Sequence, residues 1–406
     1  MRLAFFSPFN PQSSGISDYS EELLPYLARY ADIDLFFDGP TPTNQNMIEQ
    51  FTIYPMADFP ALRRTRRYDT CLYQMGNSRY HTAIYLTLRR YPGITILHEY
   101  MLHHFLLDLA MRREDWSFYW RELAYHTSPE LMKKVSPKRP AFPPGLPLAR
   151  RVIELSLGVI VHNQDMVSRV LADAPQARAV VAPMGMPLPS QPASDKEQMR
   201  TSRGRLNLPI AAYLVGIFGH LSPHKRIEVI LGAFARLRQQ HPEAMCLIVG
   251  QNTGDYNLPA LLEALDLAPD SVIITGFVAS TVLADYIQAA DVWVNLRYPV
   301  HGETSAAALR LMAYGKPVIV SDVTTFASFP DEVCIRVKVN ASEIEFLYHA
   351  LLLLAQHPDL RRQLGRNARR YIEMHHSLNE AAEKVATGIN HILAAVQTGN
   401  REVKYG

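Results

Sequence analysis

Short apolar runs rich in β-branched residues alternate along the chain with stretches in which apolar residues recur at helical spacing. This alternation is typical of α/β folds with parallel sheets. In the first half, helices are predicted at Ser17–Ala31 and Leu148–Leu157. The strands predicted there are Leu3–Phe6, Ile33–Phe37, Thr70–Gln74, Thr95–His98, Val159–His162 and Ala179–Ala182.

The alternation is interrupted between Gly185 and Gly204 by a Pro- and Ser-rich segment without periodicity, as expected of a linker. Strands are predicted again at YLVGIFGH, CLIVG, VIITGFV, VWVNL and PVIVSD, with helical stretches between most of them. We therefore expect two α/β domains with a cleft between them. Ligands of open α/β sheets lie at the carboxyl ends of the strands, so both domains can contribute loops to that cleft. The expected segments are a first domain at 1–185, a linker at 186–206, a second domain at 207–376 and a C-terminal helix within 377–406 that packs back on the first domain.

The composition of the 406-residue chain, 48% hydrophobic and 20% charged, is that of a soluble globular protein. Its formal net charge of +2 argues against a nucleic-acid-binding protein. Lys133–Arg151 is a local exception because it contains six Lys and Arg residues and no acid. It is either a solvated loop or a contact patch for an anionic acceptor or anionic lipid headgroups.

Cys71, Cys246 and Cys334 lie far apart, each inside an apolar run, which predicts buried thiols in a reducing compartment. No signal-peptide pattern opens the sequence, and no stretch approaches the roughly 20 apolar residues of a membrane-spanning helix. The predicted location is therefore cytoplasmic. Peripheral contact at the inner membrane surface is an alternative that rests on the basic stretch alone.

The stretch VNLRYPVHGETSAAALRLMAYGKPVIVSD, residues 294–322, places a glutamate, two hydroxyl side chains and three alanines between two apolar strands. If a helix begins at its Gly-Glu-Thr-Ser step, the N–H groups of Thr304, Ser305 and Ala306 lack intrahelical partners and favour an anion such as a phosphate. Glu303 would then accept hydrogen bonds from sugar hydroxyls. The alternative is an ordinary capped helix without a ligand.

A second stretch, GIFGHLSPHKRIEVILGAF, has a strand that ends at Gly219 and a lysine, Lys225, at the start of the next helix. A cation gains nothing from the helix dipole at that end, so an anionic ligand would explain it, with His220 as a neighbouring donor. The spacing is not that of a P-loop, and no G-x-G-x-x-G fingerprint occurs. The alternative is an ordinary surface lysine.

Together these segments resemble, in order, the nucleotide-binding domain of the retaining glycosyltransferases of family 4. The segments are GHLSPHKRIEVILGAF, LIVGQ, VIITGFV, YIQAADVWVNLRYP and GETSAAALRLMAYGKPVIVSD. In the first half, FFSPFNPQSSGISDYSEELLPYL and GVIVHNQ resemble the same family, and YQMGNSRYH and PGITILHEYMLHH are similar to a bacterial subset of it. The resemblance extends from Met1 to about Ser377 and implies the GT-B fold, with two Rossmann-like domains whose sheets face a central cleft.

The resemblance implies a reaction without a metal or other cofactor, in which a sugar moves from a nucleotide-diphosphate donor to an acceptor hydroxyl with retention of anomeric configuration. Lys225 would hold the diphosphate, with His220 in the place of the family's usual arginine. Glu303, with the N–H groups of Thr304 and Ser305, would hold the sugar and the distal phosphate. The other donor contacts that the resemblance implies are His98 at the sugar, Phe277 and Val278 at the base, and Gly219, Gly15, Ile16 and Ser17 at the diphosphate.

The sequence departs from the family at the signature of two glutamates separated by seven residues. Glu303 takes the first position only if the loop shifts by one residue, and Arg310 occupies the second. The second glutamate normally accepts from the ribose hydroxyls, which an arginine cannot do. This departure therefore puts in question how the ribose is bound and which nucleotide the donor carries.

Two further groups have competing interpretations. His98 is a satisfied loop histidine, a ligand contact in the cleft, or, with the least support, part of a zinc site. Asp32 and Asp34 form a D-x-D pattern that we interpret as solvated charge at the start of a strand, and Arg63–Arg67 as the exposed end of a helix.

The predicted function is hexose transfer in the assembly of a glycan, polysaccharide or glycolipid, with a nucleotide sugar as donor and a glycan or lipid-linked acceptor. Donors at the diphosphate would stabilise the leaving group, and the domains would close about the linker to exclude water. Two alternatives remain: another enzyme class on the same plan, such as an epimerase or a phosphorylase, and a non-catalytic sugar-nucleotide-binding relative or scaffold.

Overall fold

The structure is a computed structural model that describes residues 1–128, 130, 132, 146–189, 196–252, 254 and 256–402. The chain divides into two compact units, each built on one parallel sheet. The first unit comprises Met1–Gly185, His301–Thr304 and Leu378–Gly406, and the second comprises Met186–Val300 and Ser305–Ser377. The predicted α/β class, with two Rossmann-like domains of parallel strands, is confirmed.

The first unit has a seven-stranded sheet in the order β3-β2-β1-β4-β5-β6-β7. Its strands are β1 Arg2–Phe6, β2 Asp32–Phe37, β3 Thr52–Pro55, β4 Thr70–Met75, β5 Ile94–Leu97, β6 Gly158–Val161 and β7 Ala179–Val181. Its described helices up to residue 185 are α1 Gly15–Leu27, α2 Gln45–Gln50, α3 Phe59–Thr65, α4 Thr82–Arg90, α5 His103–Arg113, α6 Trp116–His126, α7 Arg150–Leu155 and α8 Gln164–Asp173.

The second unit has a six-stranded sheet in the order β10-β9-β8-β11-β12-β13. Its strands are β8 Leu214–Phe218, β9 Met245–Val249, β10 Val272–Ile274, β11 Val292–Asn295, β12 Val318–Ser321 and β13 Ile335–Val337. Its described helices are α9 Lys196–Arg205, α10 Ile227–Gln240, α11 Leu258–Ala264, α12 Ser280–Ala289, α13 Ala306–Ala313, α14 Glu343–Gln356 and α15 Pro358–His375, and a last helix, α16 Leu378–Glu402, belongs to the first unit.

Strands that are buried on both faces are the ones that the sequence predicts best. β4, β5 and β6 are buried at every position, and each predicted strand agrees with the structure within one residue at either end. Aromatic rings pack beside them, since the ring of Phe6 stacks on those of Phe36 and Tyr73 with centroids 4.9 and 4.7 Å apart. Strand β3 was not predicted, because it is short, lies at the sheet edge and has no buried residue.

The segment predicted as an irregular linker contains helix α9. This helix is very polar, so the sequence shows no apolar stripe, and one long side chain, that of Arg203, is its main buried anchor. Arg203 Nη2 lies 2.7 Å from Asp291 Oδ2, and its other nitrogens donate to backbone carbonyls of Ala289 and Ala212 at 2.9 and 2.8 Å. A polar interaction thus replaces the apolar face that would have revealed the helix.

The last helix, α16, packs against α1 in the first unit. Two glycines allow α16 to lie close to strand β6 and to the segment that follows β7. A Cβ atom on Gly158 would lie 2.7 Å from Ile392 Cγ2, and one on Gly185 would lie 2.8 Å from Ala381 Cβ. Larger residues at these positions would push the helix away.

The D-x-D interpretation is wrong for its second carboxylate. Asp32 is exposed, but Asp34 is buried and accepts hydrogen bonds at both oxygens. Arg66 Nη1 lies 3.0 and 2.8 Å from its Oδ1 and Oδ2, and Tyr68 OH lies 2.7 Å from Oδ2. Part of the basic run 63–67 therefore neutralises a buried acid, while Arg63, Arg64 and Arg67 are exposed as expected.

Three further expectations concern the cysteines, the basic stretch 133–151 and membrane-spanning helices. All three cysteines are free and buried, as predicted. Most of the basic stretch 133–151 lies outside the described residues; within them, Arg150 pairs with Glu154 and Arg151 with Glu122. Among the described helices, none has both the length and the apolar character to cross a bilayer.

Candidate functional site

In the second unit, the loops after two neighbouring strands carry cations. β8 and β11 are paired in parallel, so their carboxyl ends meet at one edge of the sheet. Lys225 folds back over the end of β8, where its Nζ donates to Phe218 O at 3.4 Å. Gly219 has φ +92°, and a Cβ atom there would lie 2.6 Å from Lys225 Nζ. The glycine therefore provides both the turn and the space that the lysine needs.

The loop that carries Lys225 is anchored on both sides. Pro223–Lys225 is a 3₁₀ turn, and Arg226, with φ 55°, precedes the first residue of α10. Lys225 is thus two residues before the helix rather than at its start. Arg226 Nε donates to Glu343 Oε2 at 2.8 Å, and Tyr298 N donates to His224 O at 2.7 Å. These contacts fix the lysine between α14 and the loop after β11.

The electrostatics of this loop favour an anion. The pKa of Lys225 is lowered to about 7, mainly by burial and in addition by the positive charge of Arg297. Arg297 lies just after β11, and its backbone N donates to Ser321 Oγ at 2.9 Å. Arg297 was not among the predicted site residues, although its position directly after the strand VWVNL is equivalent to that of a cation in the loop after β8. A bound anion would offset the repulsion between the two cations.

The helix at the Gly-Glu-Thr-Ser step begins at Ala306, with Ser305 as its N-cap. Ser305 Oγ accepts from Ala308 N at 3.3 Å and donates to Asn295 Oδ1 at 3.1 Å. The first-turn N–H groups available to an anion are consequently those of Ala306 and Ala307, further along than Thr304. The capping hydroxyl is occupied by the helix itself.

The other predicted donor contacts of the second unit are dispersed along its loops. His220 is exposed, and Phe277 exposes 72% of its surface. Phe277 and the half-buried Val278 follow β10, which β9 separates from β8. Arg310 lies in the last turn of α13 and is half-buried. The structure brings Gly219 and Lys225 into direct contact and leaves the roles of the other four as predictions.

Glu303 and Thr304 belong to a four-residue segment, His301–Thr304, that groups with the first unit. Asn163 Nδ2 donates to Gly302 O at 2.8 Å and to Thr304 Oγ1 at 3.0 Å, and Glu303 Oε2 accepts from His301 N at 2.8 Å. Gly302 has φ +86°, which favours glycine. Asn163, which the sequence analysis did not single out, thus fixes the backbone on either side of Glu303.

His98 lies at the end of β5 and is only 7% exposed. Its Nδ1 is 3.0 Å from His162 Nε2, and its Nε2 is 2.6 Å from Gln74 Oε1. Burial, together with the charges that His162 and His81 would carry, holds the pKa of His98 well below its usual value. His98 is therefore neutral, and both ring nitrogens already have partners within the first unit.

The proton positions in this network can be assigned by starting from Ala182 O, the backbone carbonyl that His162 contacts. Ala182 O can only accept, so His162 donates to it through Nδ1 at 2.9 Å and accepts at Nε2 from His98 Nδ1–H. His98 Nε2 then has no proton to donate to Gln74 Oε1, so the Gln74 amide must be turned by 180°, which exchanges Oε1 with the unpartnered Nε2 and supplies an N–H donor. The predicted contact of His98 with a donor sugar remains a prediction, and it requires that Gln74 give up this hydrogen bond.

The predicted glycine loop of the first unit is the start of α1. Gly15 is exposed, and Ser14 Oγ caps the helix by accepting from Ile16 N at 3.2 Å. Ser17 is buried. Ile16 packs so closely against Gly76 that a Cβ there would lie 2.4 Å from Ile16 Cδ1. A diphosphate contact at Gly15, Ile16 and Ser17 remains a prediction. Within the part of the chain that the structure describes, no three His, Cys, Asp or Glu side chains are arranged to hold a metal ion.

Residues 198–371 match the family model described as glycosyl transferases group 1. A curated relative is the D-inositol 3-phosphate glycosyltransferase of Kineococcus radiotolerans, 31% identical over 178 residues, which are 40% of this chain and 39% of the relative. The chain spans about 40 to 50% of the length of the first curated relatives it matches.

Solved structures cover nearly the whole chain. Sucrose-phosphate synthase from Thermosynechococcus elongatus is similar over 97% of this chain and 100% of its own, with a TM-score of 0.67 and 18% identity. HepE of Anabaena, solved in complex with UDP, is similar over 96% of this chain and 100% of its own, with a TM-score of 0.65 and 16% identity. Two Rossmann-like domains with parallel sheets, matched by these structures over nearly the whole chain, define a GT-B fold.

Proposed function

We propose that the protein is a retaining glycosyltransferase that moves a hexose from a nucleotide-diphosphate sugar to an acceptor hydroxyl. The observation that carries the proposal is the pair of cations, Lys225 and Arg297, after neighbouring strands of the glycosyl transferases group 1 domain. The loop that carries Lys225 is anchored on both sides of the lysine, because Arg226 donates to Glu343 and Tyr298 N donates to His224 O.

The chemistry that these groups supply is stabilisation of a leaving group. As the anomeric C–O bond breaks, negative charge develops on the diphosphate, and preorganised donors there lower the barrier. Lys225 supplies a charge at the end of β8, and the N–H groups of Ala306 and Ala307 supply dipoles at the start of α13. Glu303, held by His301 N, would orient the sugar through its hydroxyls.

Retention of configuration and independence of a metal are part of the same proposal. We infer a same-face displacement in which the departing phosphate takes the proton of the acceptor hydroxyl, so that no carboxylate pair of the glycosidase type is required. Lys225 and Arg297 would do the electrostatic work that a divalent cation does elsewhere. The curated relative of Kineococcus radiotolerans is named for D-inositol 3-phosphate, a hydroxyl-rich molecule. For this chain, the proposal includes a glycan, polysaccharide or glycolipid product and peripheral contact with a membrane.

The test is donor turnover with UDP-, GDP- and ADP-hexoses, with and without EDTA. We expect one nucleotide to support turnover in EDTA, and Lys225→Met to lower kcat/KM by about 10²- to 10³-fold, as loss of a transition-state donor does. Lys384→Met, at an exposed position of α16, is the matched control and should retain full activity.

Two outcomes would contradict the proposal. Near-normal turnover in Lys225→Met would remove the lysine from the reaction. Binding of a nucleotide without turnover of any of its sugars would instead favour the non-catalytic relative, which the exposed His220 and the arginine at position 310 keep as the second candidate.

A further inference from the structure

A cavity of about 180 Å³ lies in the second unit at the amino-terminal edge of its sheet. It is bounded by the residues just before β11 and β12, by the first turn of α15 and by the start of α9. Lys225 lies beyond the carboxyl end of β8, at the opposite edge of the same sheet. The cavity is therefore separate from the candidate diphosphate site.

The charges of this cavity are unbalanced. Four of the described residues that line it are basic, Lys196, Lys316, Arg361 and Arg362, against a single acid, Asp291. That carboxylate is already satisfied by groups behind the wall, because its Oδ2 accepts from Arg203 Nη2 at 2.7 Å and from Leu214 N at 2.8 Å. Arg361 Nη2 lies a further 3.5 Å from Oδ1, and Arg362 forms an ion pair with the exposed Asp359 in the first turn of α15. Two carboxylates, Asp291 in the lining and Asp359 beside it, thus stand against four basic side chains and leave an excess of positive charge at the cavity.

Lys316 shows the cost of this excess most clearly. Its side chain is buried, and its ammonium donates to Gln288 O at 2.7 Å and to Ala290 O at 3.0 Å, two of the three hydrogen bonds that an ammonium can donate. Burial is the largest cause of a pKa of about 7 for Lys316; the negative charge of Asp291 opposes this shift, and the positive charges of Arg203 and Arg361 add to it. An anion in the cavity would favour the charged form of the lysine.

The helix that borders the cavity adds a third contribution. α15 is 18 residues long, begins with Pro358, and receives no side-chain cap from His357. Its first-turn N–H groups and the positive end of its dipole therefore favour negative charge beside Arg361 and Arg362, where Asp359 is the acidic residue of that turn. Basic side chains, a buried lysine and an uncapped helix start meet at one small cavity.

We propose that this cavity binds a tetrahedral oxyanion, either inorganic phosphate or sulfate or the phosphate group of a phosphomonoester. The ligand would contact Lys316 from inside and Arg362 and Lys196 from the rim. The site stands independently of the proposed transferase activity, because it uses none of the residues assigned to the donor. Gly315 and Lys316 follow α13, whose other end carries Ser305, so the two sites are separated by the length of that eight-residue helix, about 12 Å.

The experiment is thermal unfolding with sodium sulfate against sodium chloride at equal ionic strength. Sulfate strengthens burial in proteins generally, so the comparison needs a variant that lacks only the rim. We expect a saturable rise in Tm for the native chain and for the control Arg370→Ala, at an exposed position of α15. In Lys196→Ala/Arg362→Ala only the general, non-saturating salt effect should remain. Identical curves for the native chain and the double variant would overturn the proposal.

Calorimetry separates this site from the other cations. Sulfate carries no titrating proton near pH 8, so a heat that differs between Tris and HEPES buffers reports protons taken up by the protein. We expect uptake of up to one proton per sulfate, because Lys316 is largely neutral at that pH, and we expect the same titration in saturating UDP. Binding without proton uptake, or binding abolished by UDP, would place the sulfate elsewhere and overturn the assignment.

Competition with glycerol 3-phosphate distinguishes the two sources of the oxyanion. Sulfate binding that glycerol 3-phosphate displaces supports a site for phosphomonoesters, and sulfate binding that it does not displace supports a site for inorganic oxyanions.

Discussion

Lys225 and Lys316 owe their low pKa values to the same cause, the withdrawal of an ammonium from water into a positively charged neighbourhood. A protein that only needed these side chains for packing would gain from an apolar residue of similar length. The functional interpretation is that a bound anion offsets the cost of burying each ammonium group. For Lys225 this predicts a specific relation between nucleotide affinity and pH.

We expect the Kd of UDP, or of whichever nucleoside diphosphate binds, to rise by up to tenfold per pH unit above about pH 7. Binding needs a protonated Lys225, which the free protein loses near that pH, while the diphosphate raises the pKa of the lysine in the complex. Calorimetry between pH 6 and 9 measures this. Lys225→Arg is the matched control, since an arginine stays charged and the variant reports only the titration of the nucleotide itself. Equal pH profiles for both proteins would contradict the prediction.

At the scale of the element, α9 shows how a helix can be held by one polar side chain. Arg203 is nearly inaccessible, and its guanidinium meets Asp291 and the carbonyls of Ala289, Ile210 and Ala212. Breaking such a pair leaves the other charge buried and unmatched, which costs more than the pair contributes when intact. The helix should therefore respond very differently to substitutions at its buried and exposed arginines.

We expect Arg203→Ala to lower the free energy of unfolding by about 3–5 kcal/mol, because Asp291 would remain buried without its main partner. Arg205→Ala, two residues further along the same helix, should stay within about 0.5 kcal/mol, since that arginine is largely exposed and its contact with Asp285 is screened by water. Urea unfolding of the two variants measures the difference. Comparable losses for both would show that the helix is not anchored by the buried ion pair.

The elements differ in how far the sequence could reveal them, and the reason is physical. Strands buried on both faces, such as β4 and β6, appear as unbroken apolar runs and were predicted within one residue. α9 and β3 were not, because the first is anchored by an ion pair between residues far apart in the chain and the second has no buried position. The site follows the same rule: Gly219 and Lys225 lie six residues apart on one loop, whereas Asn163 and Gln74 act through loops and strands that only the fold brings to Thr304 and His98.

At the scale of the whole molecule, buried histidines set the response to acid. His81 is inaccessible, donates through Nδ1 to Gln74 O, and has its pKa lowered to about 4 by burial, while the pKa of His98 is also well below its usual value. The unfolded chain takes up protons on these rings near pH 6.5 and the folded chain does not. Stability from this source is therefore present above pH 6.5 and falls as the pH drops from 6.5 toward 4.

We expect His81→Asn to lose less stability than the native chain over this interval, by about 3 kcal/mol, which is the linkage value of a pKa lowered from 6.5 to about 4. Asparagine can still donate to Gln74 O but does not titrate. Denaturant unfolding at pH 7 and at pH 4 gives the two differences. The same loss in both proteins would mean that His81 is protonated without cost, contrary to its burial.

The position of α16 has a consequence for how the protein is made. This helix closes the first unit against α1, yet it is encoded after the whole of the second sheet. On the ribosome, the surface around Gly158 and Gly185 stays open to water while residues 186–377 are synthesised. The unit that is translated first is thus the one that is completed last, and the nascent chain must keep an apolar groove from self-association until its own final helix emerges to fill it.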